Sequence, residues 1–378
     1  MSSLETIMKS LLHHAGISVN GPGDADLQVK NQALYKRVLR GGSMALGESY
    51  MDGWWDAKKL DEFIYLVLSA SLEKEVKPLK MLPYLLSAVI FNQGRKAKAF
   101  EIGEKHYDLG NDLFQKMLDK RMVYSGAYWK NAENLDEAQE AKLDLICRKL
   151  YLQPGMSVLD VGCGWGSFCR YAAERYGVEV VGITVSKEQV ALAREMCKGL
   201  NVKIELMDYR KLNSGVSPVS GRLYDRAVSV GMIEHVGYKN YRTFMQIIQQ
   251  VLKPAGLFLL QTIGVNQSVL TTDPWTEKYI FPNSRLPSAR QLTRAFGDLF
   301  MLEDWHSFGC DYDRTLMCWY QNFENAWPEL KQAYDERFFR MWKYYLLGAA
   351  GGFRARKNQL WQIVLSKEGF PNGYRSLR

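Results

Sequence analysis

The chain has 378 residues, 47% of them apolar, so two domains with a sizeable core can form and an intrinsically disordered chain is excluded. The formal charge is +8, from 49 basic and 41 acidic side chains. That balance suits an anionic partner such as nucleic acid, phospholipid headgroups or acidic metabolites, without choosing among them.

Met1 to Leu12 lacks a basic stretch followed by a long apolar run, so no signal peptide is expected. Residues 1 to about 100 read as helical segments around Ala33–Leu39, Asp61–Ser69 and Pro83–Phe91, with no alternation of strands and helices. Met81–Phe91 is the most apolar stretch there and is too short to span a bilayer, which takes about 20 residues. Five basic residues between Val76 and Phe100, and no acidic one, flank this run. The pattern fits a segment lying in an anionic interface, and equally a core helix with a solvated basic linker. A boundary is expected near Gln93-Gly94-Arg95, giving a helical domain over 1–94, with a lipid-contacting role open, and a catalytic domain over 95–378.

From Tyr151 the texture changes to short β-branched runs alternating with helical patterns, the signature of a parallel α/β sheet. Strands are predicted at Ser157–Val161, Glu179–Thr184, Val202–Leu206 and Asp225–Val230. A fifth is predicted at Leu257–Ile263, after a turn at Lys253-Pro254-Ala255-Gly256. An insertion follows from Gly264 to about Pro287, then helices around Leu316–Trp327 and Tyr334–Leu347 and a last strand at Gln359–Leu365. The six cysteines (Cys147, Cys163, Cys169, Cys197, Cys310 and Cys318) are scattered without C-x-x-C spacing. A zinc site or disulfide framework is therefore not expected, and a reduced cytosolic compartment fits better.

The strongest signal is Val158-Leu159-Asp160-Val161-Gly162-Cys163-Gly164-Trp165-Gly166-Ser167, a buried strand carrying an acid that turns through three glycines into a helix. Glycines there let the backbone approach a ligand at the strand's carboxyl end. A dinucleotide site would carry G-x-G-x-x-G and an acid at the end of the second strand. Here the spacing is G-x-G-x-G, and that strand ends Gly182-Ile183-Thr184. The pattern resembles the first motif of class I S-adenosylmethionine-dependent methyltransferases. Ser186-Lys187-Glu188-Gln189 is a capping box whose Gln189 also suits ribose hydroxyls. Asp208-Tyr209 follows the third strand, where an acid can accept an adenine amino group and an aromatic can pack on the ring.

Several stretches together resemble the cyclopropane fatty acid synthases. They are Gly47-Glu48-Ser49-Tyr50-Met51-Asp52-Gly53-Trp54-Trp55, His106-Tyr107-Asp108-Leu109-Gly110-Asn111-Asp112 and Tyr124-Ser125-Gly126-Ala127-Tyr128-Trp129, with the glycine loop. Gly231-Met232-Ile233-Glu234-His235-Val236-Gly237, Asp273-Pro274-Trp275 and Phe353-Arg354-Ala355-Arg356 complete the set. The resemblance covers nearly the whole chain. It implies a class I methyltransferase (Rossmann-like) α/β fold behind a small helical N-terminal domain. It also implies S-adenosylmethionine as co-substrate, held by Tyr124, Ser125, Asp160, Gly162, Gly164 and Trp165, with Thr184, Gln189, Asp208 and Tyr209.

The implied reaction is cyclopropanation of cis double bonds in phospholipid acyl chains, with bicarbonate as the proton acceptor. Its implied cradle is Glu234, Tyr312, Gln261 and the backbone at Gly126. Two of these depart from the family pattern: Gln261 stands where a histidine is usual and Gly126 where a cysteine is usual. A cysteine often found before F-R-A-R aligns with Ala349. The implied partner is a phospholipid surface at the inner face of the membrane, not nucleic acid, and a homodimer is left open. The alternatives are lipid C-methylation ending in a methyl or methylene branch, a nonenzymatic lipid binder, and a soluble small-molecule N-methyltransferase.

Overall fold

The structure is a computed structural model that describes residues 3–70, 111–212, 221–269 and 272–378. The proposed boundary at Gln93–Arg95, the segment Pro83–Phe91 and most of the His106–Asp112 motif lie outside these residues. The chain divides into two compact units.

The first unit joins Met1–Met117 with Thr271–Ser284 and Asp313–Lys357. Its described helices include Leu34–Met51, Leu60–Ser69, Pro274–Tyr279 and Glu336–Arg354, with a short antiparallel ribbon of β1 (Gln28–Val29) and β2 (Trp55–Asp56). The sequence alone places 271–284 and 313–357 inside a continuous catalytic domain; in the structure they pack with the N-terminal helices. Side chains far apart in the chain make the reason plain. Arg340 lies 4.0 Å over the Tyr50 ring and donates to the Trp55 carbonyl at 2.9 Å. Arg354 of the F-R-A-R motif donates to Asp61, Glu62 and Asp313 at 2.7–3.0 Å. A Cβ on Gly47 would meet the Trp275 ring at 2.4 Å, so glycine is what lets these two motifs touch.

The second unit comprises Leu118–Leu270, Arg285–Tyr312 and Asn358–Arg378. Its sheet has seven strands: β3 (Ser157–Val161), β4 (Glu179–Thr184), β5 (Val202–Leu206), β6 (Tyr224–Val230), β7 (Leu252–Val265), β8 (Met301–Ser307) and β9 (Asn358–Ser366). The order is β5-β4-β3-β6-β7-β9-β8, parallel from β5 to β7; β9 runs antiparallel to both its neighbours, so β8 points the same way as the parallel strands. Alternate residues of one strand point to opposite faces. Leu159, Val181, Phe258 and Ile363 enter one core, and Val158, Val180, Leu259 and Val364 enter another. Burial on both faces explains the apolar run of β4 and of Leu257–Leu260 in β7, whereas the edge strand β5 buries only Ile204.

Two details differ from the sequence reading. Lys253–Gly256 is a bulge inside β7, between the pairs Tyr224↔Leu252 and Arg226↔Leu257, so the strand starts earlier than predicted. The edge strand β8, Met-Leu-Glu-Asp-Trp-His-Ser, has no clean alternation and is not among the predicted strands; pairing with β9 makes it a strand.

Candidate active site

The glycine loop sits where β3 ends. Gly162, Gly164 and Gly166 all have positive φ (86°, 54° and 79°), which side chains other than glycine rarely adopt. The N–H groups of Gly162 and Cys163 donate to the Ile183 carbonyl and tie the loop to β4. A Cβ on Gly164 would meet nothing within 4 Å, so the loop faces open space there. The helix Ser167–Tyr176 then begins from Gly166 without a side-chain cap. Trp165 is buried within the loop.

Asp160 is buried beneath this loop and accepts from the Cys169 thiol at 3.3 Å. Burial pushes its carboxyl up to about 7. Beside it runs the segment carrying Tyr124, Ser125 and Gly126. Gln139 donates to the Ser125 carbonyl at 2.8 Å, and Lys142 donates to the Ser125 hydroxyl at 2.9 Å. Both come from the helix Leu135–Lys149, which starts on an Asn134 cap. Lys142 is fully buried, and desolvation pushes its ammonium down to about 7. Sequence reading missed both residues, because in Leu-Asp-Glu-Ala-Gln-Glu-Ala-Lys they look like a solvated helix face.

At the end of β4, Ser186 caps the backbone N–H of Gln189. The Gln189 side chain accepts from the Thr184 hydroxyl at 2.8 Å, so the reciprocal half of the capping box is replaced by a tie to the strand end. Past β5, the Asp208 carboxylate is held by Arg210, which lowers its pKa. Tyr209 packs edge-on against Phe244 at 5.3 Å. Val185 and Leu206, at the carboxyl ends of β4 and β5, are 72% and 46% exposed. Large apolar groups left open at that position suit one face of a planar base, a signal that burial shows and sequence does not.

A second cluster forms along β7. Glu234 sits in the 3₁₀ turn Ile233–His235 after β6 and is 5% exposed. Its Oε1 accepts from the Thr262 hydroxyl and the Ile263 N–H, both at 2.8 Å. Its Oε2 is buried with no hydrogen-bond partner. Burial raises the carboxyl pKa, and the hydrogen bonds from Thr262 and Ile263 act against that rise. Gln261, one residue before Thr262, is buried too, and its Nε2 lies 3.4 Å from the Gly126 carbonyl. A Cβ on Gly126 would meet the Tyr312 ring at 2.9 Å and Leu360 at 2.6 Å. Glu234 thus reaches the β7 segment next to Gln261, and Gly126 lies against both Gln261 and the Tyr312 ring. His235, by contrast, is an exposed residue by surface area, although nearby protein lowers its pKa through desolvation.

A parallel sheet closed by an antiparallel β9, with a glycine loop after its central strand, defines a class I methyltransferase fold. Residues 94–363 match the family described as mycolic acid cyclopropane synthetase, and the chain belongs to that family. It is 53% identical over 373 residues to the cyclopropane-fatty-acyl-phospholipid synthase of Escherichia coli strain K12, covering 98% of this chain and 95% of the relative. The cyclopropane synthase MmaA2 from Mycobacterium tuberculosis superposes with a TM-score of 0.64 at 32% identity, covering 71% of this chain and 98% of that one. The mycolic acid cyclopropane synthase CmaA1, solved with SAH and CTAB, gives 0.63 at 30% identity, covering 70% and 96%. Among the described residues no helix is long and apolar enough to cross a membrane.

Proposed function

We propose that this chain transfers a one-carbon unit from S-adenosylmethionine to the cis double bond of unsaturated phospholipid acyl chains and closes it into a cyclopropane ring. The alkene π pair takes the sulfonium methyl, the sulfur–carbon bond breaks, and S-adenosylhomocysteine leaves a cation on the other alkene carbon. Loss of a proton from the new methyl returns its electron pair to that cation and closes the ring. An alkene is a weak nucleophile, so the site must align it and exclude water. The observation that carries the reading is Glu234, a buried acid with one oxygen satisfied and one left without a partner. Ring closure needs a group of that kind to govern a proton, and near-full-length likeness to a synthase of this activity supports the rest.

The glycine loop, Asp160, Trp165, Tyr124 and Ser125 would hold the methionyl part of the cofactor, and Thr184, Gln189, Asp208 and Tyr209 the nucleoside. A small oxyanion that shares a proton with Glu234 Oε2 fits the second cluster, where the Gln261 amide and the Tyr312 hydroxyl are both donor types. Bicarbonate bound there would supply the proton acceptor. The substrate lies in a bilayer, so the reading includes a phospholipid surface at the inner face of the membrane, which the charge of +8 favours.

Gas chromatography with mass spectrometry of lipids from expressing cells tests the reaction: acyl chains should gain one methylene and lose the double bond. Purified enzyme in carbonate-depleted buffer should recover activity on adding bicarbonate. Glu234→Gln should cost about 10²–10⁴ in kcat, far more than Gln261→Ala. Methyl-branched products without a ring, formed independently of bicarbonate, would replace this reading with lipid C-methylation.

A further inference from the structure

Directly across the sheet from Gln261, in register on β9, stands Gln362. Both side chains lie on the same face, and Gln362 is completely buried. Its neighbours on that face of β9 are Leu360 and Val364, both apolar and buried. Gln362 Nε2 donates to Gln261 Oε1 at 2.9 Å, and Gln362 Oε1 is buried without a partner. A pair of buried amides with one open end is poor packing material, since two apolar side chains of similar shape serve a core equally well. The pair does one thing that apolar residues cannot do.

An amide side chain has two ends of similar shape and opposite hydrogen-bonding character. In the site, the end of Gln261 nearest Gly126 faces a backbone carbonyl at 3.4 Å, long enough to leave that end open to a second partner. Were Gln261 turned over, its oxygen would face that carbonyl and its NH2 would face Gln362. The Gly126 carbonyl, which repels an oxygen, and the donor from Gln362, which meets one, together select the other orientation.

We infer that Gln362 is a positioning residue for the transfer reaction, helping to hold the Gln261 amide with its NH2 group turned toward the Gly126 carbonyl. The inference rests on the reading of Gln261 as part of the active site. It also accounts for how an amide can serve at this position, because the strand neighbour helps to supply an orientation that an amide cannot supply for itself.

The test uses the full chain, labelled S-adenosylmethionine and vesicles of phosphatidylethanolamine with cis-monounsaturated chains. Gln362→Met keeps size and removes the donor. It should lower kcat about tenfold or more while the KM for cofactor stays within about twofold. In a Gln261→Leu background the same change should have no further effect on kcat, because the two residues act as one unit. Gln362→Glu adds a readout that packing does not touch. A protonated carboxyl donates to Gln261 and an ionised one cannot, so kcat should fall with rising pH on a limb absent from the native enzyme. Equal losses in both backgrounds, or no new limb with Gln362→Glu, would overturn the inference; should Gln362→Met fail to fold, the Gln362→Glu profile decides. Total label in lipid scores the positioning role and the ring fraction scores the proposed function, so the two can fail separately.

Discussion

Gly126→Ala is the most direct probe of how the second cluster is packed. The added Cβ would stand 2.6 Å from Leu360 Cδ2 and 2.9 Å from two atoms of the Tyr312 ring. Ordinary contact begins near 3.4 Å, so these neighbours must retreat by about 0.8 and 0.5 Å, in a dense interior with little slack. Leu360 is 1% exposed and Tyr312 is 7% exposed, so neither can swing into solvent. The backbone itself raises no objection, because Gly126 is not among the positive-φ residues. The whole cost is therefore steric, about 1–3 kcal/mol for one methyl forced into a filled site. Thermal unfolding should register it as a drop of several degrees. The displacement of the Tyr312 ring should also slow turnover about tenfold, since misplacement of about 1 Å can cost a hundredfold. Leu360→Ala relieves the shorter contact, so the double variant should be less destabilised than the sum of the single ones. A Gly126→Ala enzyme with native midpoint and native kcat would show that Tyr312 does not pack on Gly126, and the geometry of the cluster would fall with it.

Three other outcomes are expected. Gly164→Val places a β-branched residue at φ 54° in the open mouth of the glycine loop; calorimetry should find S-adenosylmethionine binding lost while circular dichroism reports a folded chain. Lys142→Met should weaken cofactor binding severalfold by releasing Ser125, and should change how stability depends on pH. The buried ammonium titrates at about 7 against 10.5 unfolded, so from pH 7 to 10.5 the unfolded state binds the extra proton and native stability rises with pH. The groups acting on that ammonium by charge are Asp119 and Asp160. The variant should lack that rise, and parallel denaturation curves against pH would refute the assignment. Neutralising Arg95, Lys96 and Lys98 should weaken sedimentation with anionic vesicles, each charge contributing roughly 1 kcal/mol near the surface, and unchanged binding would remove that segment from the membrane contact.

How much of this was legible in the chain depended on how local the physics was. Ser157–Val161, Glu179–Thr184 and Val202–Leu206 coincide with β3, β4 and β5, because short β-branched runs closed by turn residues are a local signal, continuous in the buried β4 and alternating in the edge strand β5. The glycine loop was legible for the same reason, since positive φ at three alternate positions demands glycine from the local backbone alone. Glu234 and Tyr312 were reached only through family likeness, and nothing within several residues of either announces a site. What Glu234 is depends on Thr262 and Ile263 taking one of its oxygens and burial stranding the other. The edge strand β8 exists because β9 offers it a ladder. Lys142 looks solvated on its helix and is buried because the Ser125 segment folds over it. Gln261 meets Gln362 because the antiparallel pairing of β7 and β9 sets them opposite each other across 101 positions of chain. Local backbone preference and patterning reach only a few residues along the sequence, so they determined the elements and the loop. Desolvation, register and cross-strand partners belong to neighbours that the fold alone assembles, and these decided the protonation, orientation and company of the reactive groups.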